Sequence, residues 1–105
     1  VIHAAFLGHE RGGRRRPPTM LSSGQYRPHL LLDGAALSTG LLGVQFIAGP
    51  DDVAPDEPFT ATVRCVYPEV DASGFVVGAR FAIHEGSRKV GDGVVRARRF
   101  VKEQP

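Results

Sequence analysis

The chain has no tryptophan, one methionine, one cysteine and, among 13 basic residues, only two lysines. A lone cysteine excludes an internal disulfide. His3, His9, His29 and His84 stand at no zinc-ligand spacing from one another or from Cys65, so no metal centre is expected. No apolar run approaches the ~20 residues of a membrane-spanning helix, and no charged-then-apolar leader opens the chain. No membrane partner and a soluble, reducing, cytoplasmic setting are therefore expected. No Gly-x-x-x-x-Gly-Lys-Ser or Thr phosphate cradle occurs, which excludes a nucleotide site of that class: no GTP is expected on this chain alone. Helical periodicity is nearly absent. Thirteen glycines and eight prolines leave no helix-length window free of breakers.

What is present is a chain of 105 residues and 11.3 kDa that is 42% hydrophobic, enough for one core. One domain over residues 1–105 is expected, with a core of about 1–100 and a frayed tail. The formal net charge of +2 is unevenly spread. Residues 1–32 are basic, 33–75 acidic and 76–105 basic again, so neighbouring ends would create one basic face. The preference for Arg over Lys suits a GC-rich genome. Val1 is then readable either as a GTG start or as the first residue of a fragment.

Short apolar runs separated by turn clusters read as strands. They are Ile2–Gly8, Arg27–Leu32, Gly40–Ile47, Phe59–Tyr67, Arg80–Glu85 and Arg88–Val95. The polar stretch Glu10–Gln25 between the first two is long for a loop and is expected to be mobile. In Phe59–Tyr67 the alternation places Phe59, Ala61, Val63, Cys65 and Tyr67 on one face. The last two runs flank Gly86-Ser87. Glycine at the first central position of a two-residue turn suits type II′, and Glu85 and Arg88 would face each other across it as an ion pair. Six strands without helices close most economically as a barrel, which also removes edges. The fold class is therefore all-β, a closed six-stranded antiparallel barrel. Phe6, Leu30, Val63, Cys65, Phe81 and Ile83 are its expected core.

Candidate chemistry is sparse. Cys65 on an apolar strand face reads as a small hydrophobe rather than a nucleophile. The segment Asp51–Glu57 is acidic but lacks the order of a calcium loop, and prolines break it. The Arg11–Arg16 cluster is either a solvated loop or a contact for an RNA backbone. Tyr26 and Tyr67 read as isolated, which leaves no stacking platform for single-stranded bases. No cofactor and no catalytic residue are expected, so the chain reads as a binding module and not an enzyme.

The final hairpin, Gly78-Ala79-Arg80-Phe81-Ala82-Ile83-His84-Glu85-Gly86-Ser87-Arg88-Lys89-Val90-Gly91-Asp92-Gly93-Val94-Val95, resembles the C-terminal signature of bacterial elongation factor Tu. That signature reads Gly-x-Arg-Phe-Ala-Ile-Arg-Glu-Gly-Gly-Arg-Thr-Val-Gly-x-Gly-Val-Val. Upstream and in order, Glu10-Arg11-Gly12-Gly13-Arg14 is similar to Glu-Glu-Gly-Gly-Arg, Tyr26-Arg27-Pro28-His29 to Tyr-Arg-Pro-Gln, and Leu37-Ser38-Thr39-Gly40 to Asp-Val-Thr-Gly. The likeness runs from Val1 to Val95 and concerns only the third domain of that factor. It implies a six-stranded antiparallel barrel that grips the T-stem backbone of tRNA and packs on a GTP-binding domain. Carried over by position, it implies RNA contacts at Arg14, Arg15, His29, Thr39 and Gly86. Separately, the charge distribution lets Arg96, Arg98 and Arg99 either add to such a face, if the basic ends meet, or simply solubilise the tail. Arg15 stands where the family has His, and His29 where it has Gln. Tyr67 replaces a common Lys, and the loops 14–26 and 67–78 are longer than the family's. The implied partners are tRNA or another structured RNA. The alternatives are a translation-factor protein, such as a GTP-binding domain or its exchange factor, and a truncated remnant of the factor.

Overall fold

The computed structural model describes residues 1–8, 10, 12–14, 16–67 and 72–98. Arg15, Arg99 and the tail after it lie outside the described residues. Six strands form: β1 (Ile2–Phe6), β2 (His29–Leu32), β3 (Leu41–Ala48), β4 (Phe59–Cys65), β5 (Arg80–Glu85) and β6 (Arg88–Val95). All pairings are antiparallel. In the order β1-β4-β3-β2-β5-β6 they close into a barrel, because β1 pairs with both β4 and β6. The expected fold class is the observed one. Among the described residues the helical elements are one turn, α1 (Leu37–Gly40), and a 3-10 turn at Leu21–Ser23, with Glu10 also in 3-10 conformation.

Closure is a matter of matching large side chains with absent ones. Phe81, Ile83, Phe6, Phe46 and Leu30 fill the interior. On β6 the residues in register with Phe81 and Ile83 are Gly93 and Gly91. A Cβ at Gly93 would lie 2.9 Å from the Phe81 ring, and one at Gly91 3.1 Å from Ile83. The bare glycines let β6 approach β1 and β5 while the aromatic ring occupies the vacated volume. Register shifts at Phe46/Ala48 and Ile83/His84 bend the sheet round the core.

Loops plug the two ends. At the end where the 86–87 turn lies, Leu21 is fully buried and Tyr26 packs on Phe6 and Phe46, with ring centroids 5.8 and 5.2 Å away. At the end where β1 begins and β6 finishes, Phe75 covers Phe81 at 6.4 Å. The Gly78 amide there donates to the Val95 carbonyl.

Two core assignments change. Val63 is only partly buried. Cys65 is exposed, although it stands in register with the buried Val44. Alternation assigns a face, but depth depends on what packs over it. Cys65 is the last residue of β4, and it lies open although its register partner is covered. Its thiol is expected to react with a bulky disulfide reagent in the native protein, without prior unfolding. Cys65→Ala should change stability by no more than about 0.5 kcal/mol, as for other surface positions. Labelling that waits on unfolding would contradict this placement.

Candidate nucleic-acid interface

The loop between β1 and the 3-10 turn carries the glycine pair and Arg14. Gly13 lies so close to Leu7 that a Cβ there would meet the Leu7 carbonyl oxygen at 2.0 Å. Only glycine lets the chain fold back on β1 at this point, and the Gly13 amide then donates to the Gly8 carbonyl at 3.1 Å. The turn delivers Arg14 to the tip of the β5–β6 hairpin. Its guanidinium lies 3.4 Å from the Glu85 carboxylate and 5.9 Å from the centre of the Tyr26 ring.

Glu85 is shared. The carboxylate oxygen facing Arg14 also accepts a 2.7 Å hydrogen bond from the Tyr26 hydroxyl. Burial, and then the Glu85 carboxylate beside it, push the Tyr26 phenol well above its ordinary range. It therefore remains a donor at any ordinary pH. Tyr26 is thus not isolated: its ring closes the barrel and its hydroxyl steadies the acid that holds Arg14.

Glu85 and Arg88 do stand opposite each other across the turn. Gly86 has φ +64° and Ser87 has no positive φ, as a type II′ turn requires. Their charges nevertheless turn elsewhere. Glu85 takes Tyr26 and Arg14, whereas Arg88 donates from Nε to the Gly12 carbonyl at 3.0 Å and from Nη2 to the Gly13 carbonyl. Carbonyls left open by the tight glycine turn compete for the guanidinium, and its planar fork satisfies two at once. The described part of the Glu10–Gln25 loop is accordingly strapped down, in contrast to the free loop expected. Met20 and Leu21 tie it further through amides donated to Asp51 and Pro50.

The structure brings together some of the expected contact residues. Arg14 and Gly86 meet at the hairpin end. His29 lies close by on β2, in register with His84. It is half-buried, on the outer side of the barrel over Gly43. His84 is 6% exposed, and its Nδ1 has no hydrogen-bond partner among the described residues. Exposed Arg16, Arg27, Arg88 and Lys89 flank this group in the chain or in the sheet. Thr39 is exposed on α1, at the opposite end of the barrel, and does not join it.

The termini behave differently from the expected single basic face. β1 and β6 do pair, and the Arg96 amide donates to the Val1 carbonyl. The strand direction, however, sends Arg96 and Arg98 to the end away from Arg14. The eight residues of β6 lie between them. Arg98 is engaged there with the carbonyls of Ala72 and Phe75 at 2.7 and 3.2 Å. Pairing of first and last strands brings chain ends together, but Arg14 lies beyond the far end of β1.

Among the described residues, no group of three or more His, Cys, Asp or Glu is placed to hold a metal ion. No helix among them is long and apolar enough to cross a membrane. The arrangement sets Arg14 and Arg88 around Glu85 at the hairpin end, and the acidic loop 51–57 reaches the same end of the barrel, where the Asp56 amide donates to the Phe6 carbonyl and Lys89 pairs with Asp92 at 3.8 Å. Reading the sequence by residue missed Arg27 and the strapping role of Arg88. The available signal was the glycine pair, whose exposed carbonyls call for a multidentate donor. No model of a known protein family matches the chain.

Proposed function

We propose that this chain is a non-enzymatic binding module that holds the phosphate backbone of a tRNA-like stem, in a translation-related, cytoplasmic role. The observation that carries the reading is the pairing of Arg14 with Glu85 at the hairpin tip, next to Gly86, with His29 in register with the preceding His84 and with Arg16 and Arg27 exposed. Arginines near a loop and a hairpin tip suit backbone and shape recognition of a duplex, and exposed Tyr67 over Gly43 beside His29 is the one aromatic ring near them among the described residues that is open to solvent. The ordered motifs resembling the third domain of elongation factor Tu support the same reading. Two of the four are this loop and this hairpin, and a third ends at His29 beside them. Thr39 lies outside this surface and is assigned no contact in the proposal.

The test is titration with tRNA over a series of salt concentrations. Association should weaken steeply with salt, because each phosphate contact contributes roughly 0.7–0.9 to the log–log slope. Arg14→Ala should flatten that slope by about one such increment and weaken different stems alike. Absence of association at tens of micromolar tRNA and low salt would overturn the proposal.

A second reading, a protein-binding module, is favoured by one observation. Val76 and Val77 are 56% and 63% exposed on the segment that closes the opposite end, and Leu37 is exposed on the turn before β3. Under this reading a GTP-binding domain or its exchange factor would cover that end. Double substitution Val76→Ser/Val77→Ser would then abolish capture while leaving any salt-dependent RNA binding intact.

A further inference from the structure

We infer that Arg88 is the positioning residue of the Gly12-Gly13-Arg14 turn, acting through two backbone carbonyls rather than by meeting phosphate itself. The inference rests on the RNA reading only for its functional consequence; the strap is a feature of the fold.

Three observations carry it. Arg88 spends Nε on the Gly12 carbonyl and Nη2 on the Gly13 carbonyl, which orients the guanidinium plane toward the loop. The turn it grips has no alternative side chain at Gly13, because a Cβ there would meet Leu7 backbone atoms at 2.0 and 2.6 Å. The next residue, Arg14, is held from the other side by Glu85, the residue paired with Arg88 across the hairpin turn. Two adjacent points of one hairpin thus clamp both sides of one three-residue turn. The hairpin tip and the loop move as one body, and the position of the Arg14 charge is set by the hairpin.

Charge alone does not explain this role. Lysine at position 88 would keep the positive charge but offers one compact ammonium in place of a planar fork, and it cannot reach both carbonyls in the same plane. Arg88→Lys therefore separates positioning from electrostatics. The Arg88 side chain is exposed, so the substitution leaves the core packing untouched.

The experiment compares the full chain with its Arg88→Lys variant by amide hydrogen exchange and by tRNA titration at several salt concentrations. Exchange at Gly13, whose amide donates to the Gly8 carbonyl, should quicken at least tenfold, while amides in β1 and β5 keep their protection. Affinity for tRNA should fall several-fold, and the salt slope should drop by about one phosphate contact, roughly 0.7–0.9, as Arg14 loses its place. Unchanged exchange at Gly13 would overturn the strap, whatever the RNA result. Quickened exchange with unchanged tRNA affinity would overturn its functional consequence. If exchange quickens but the unsubstituted chain binds no tRNA, the strap stands and the RNA reading falls.

Discussion

Phe6→Ala is expected to lower the free energy of unfolding by about 3–5 kcal/mol. Phe6 is 1% exposed and closes the barrel where β1 ends. Its ring stacks on Phe59 at 5.3 Å and meets Tyr26 edge-on at 5.8 Å. Removing it takes away buried apolar area and leaves a cavity walled by two other rings. Those rings cannot collapse inward, because Phe59 sits on a strand hydrogen-bonded into the closed sheet and Tyr26 is tied to Glu85. A domain of ordinary stability holds about 5–15 kcal/mol in total, so the variant should be marginal at room temperature. Urea unfolding followed by circular dichroism measures the shift. A loss below 1 kcal/mol would mean that the end of the barrel is not packed as described. The variant should also loosen Tyr26, and through it the Arg14–Glu85 pair; under the proposed RNA reading, affinity for tRNA should fall along with stability.

Gly93→Ala is expected to destabilise the barrel by at least the ~1–3 kcal/mol typical of overpacking. A Cβ at position 93 would stand 2.6 Å from the His3 carbonyl oxygen and 2.9 Å from both Ala4 Cβ and the Phe81 ring. Two of these three neighbours cannot rotate away. The His3 oxygen is backbone, and β6 is held on both sides by β1 and β5. A strand at the edge of an open sheet would yield by shifting outward, but a closed barrel offers no such movement. Combining the change with Phe81→Leu should recover part of the loss, since it removes the ring contact and leaves the carbonyl clash. Thermal denaturation of the two single variants and the double variant forms the cycle. An unchanged midpoint for Gly93→Ala would refute the close approach of β6 to β1.

Much of the barrel was legible in the residues. The six runs recovered every strand to within two residues at each end, because period-two alternation and glycine or proline punctuation are local properties. The Gly86-Ser87 turn was readable for the same reason: a positive φ at Gly86 follows from which residue can adopt it. Within a strand, alternation also assigned the inward faces of Phe6, Leu30, Phe81 and Ile83 correctly. The same reasoning failed at Cys65. A face is a local property, whereas depth depends on what packs over it: Val44, in register with Cys65, is buried while Cys65 is not, and no pattern along β4 marks that difference.

The candidate surface divides along the same line. The sequence alone determined that a glycine-hinged arginine loop exists, that a tight hairpin follows much later, and that both resemble parts of one known domain. Only the tertiary structure decided that this loop and this hairpin touch, that Thr39 lies at the other end, and that Arg96 and Arg98 do not join Arg14. It also decided the partners of Glu85 and Arg88. Their register predicted a mutual pair, yet the nearby phenol, guanidinium and two unsatisfied carbonyls offered each a better-matched contact. Local chemistry sets what each segment can form. Which charges finally meet depends on the strand order and direction of the closed sheet, and those arise from contacts between residues far apart in the chain.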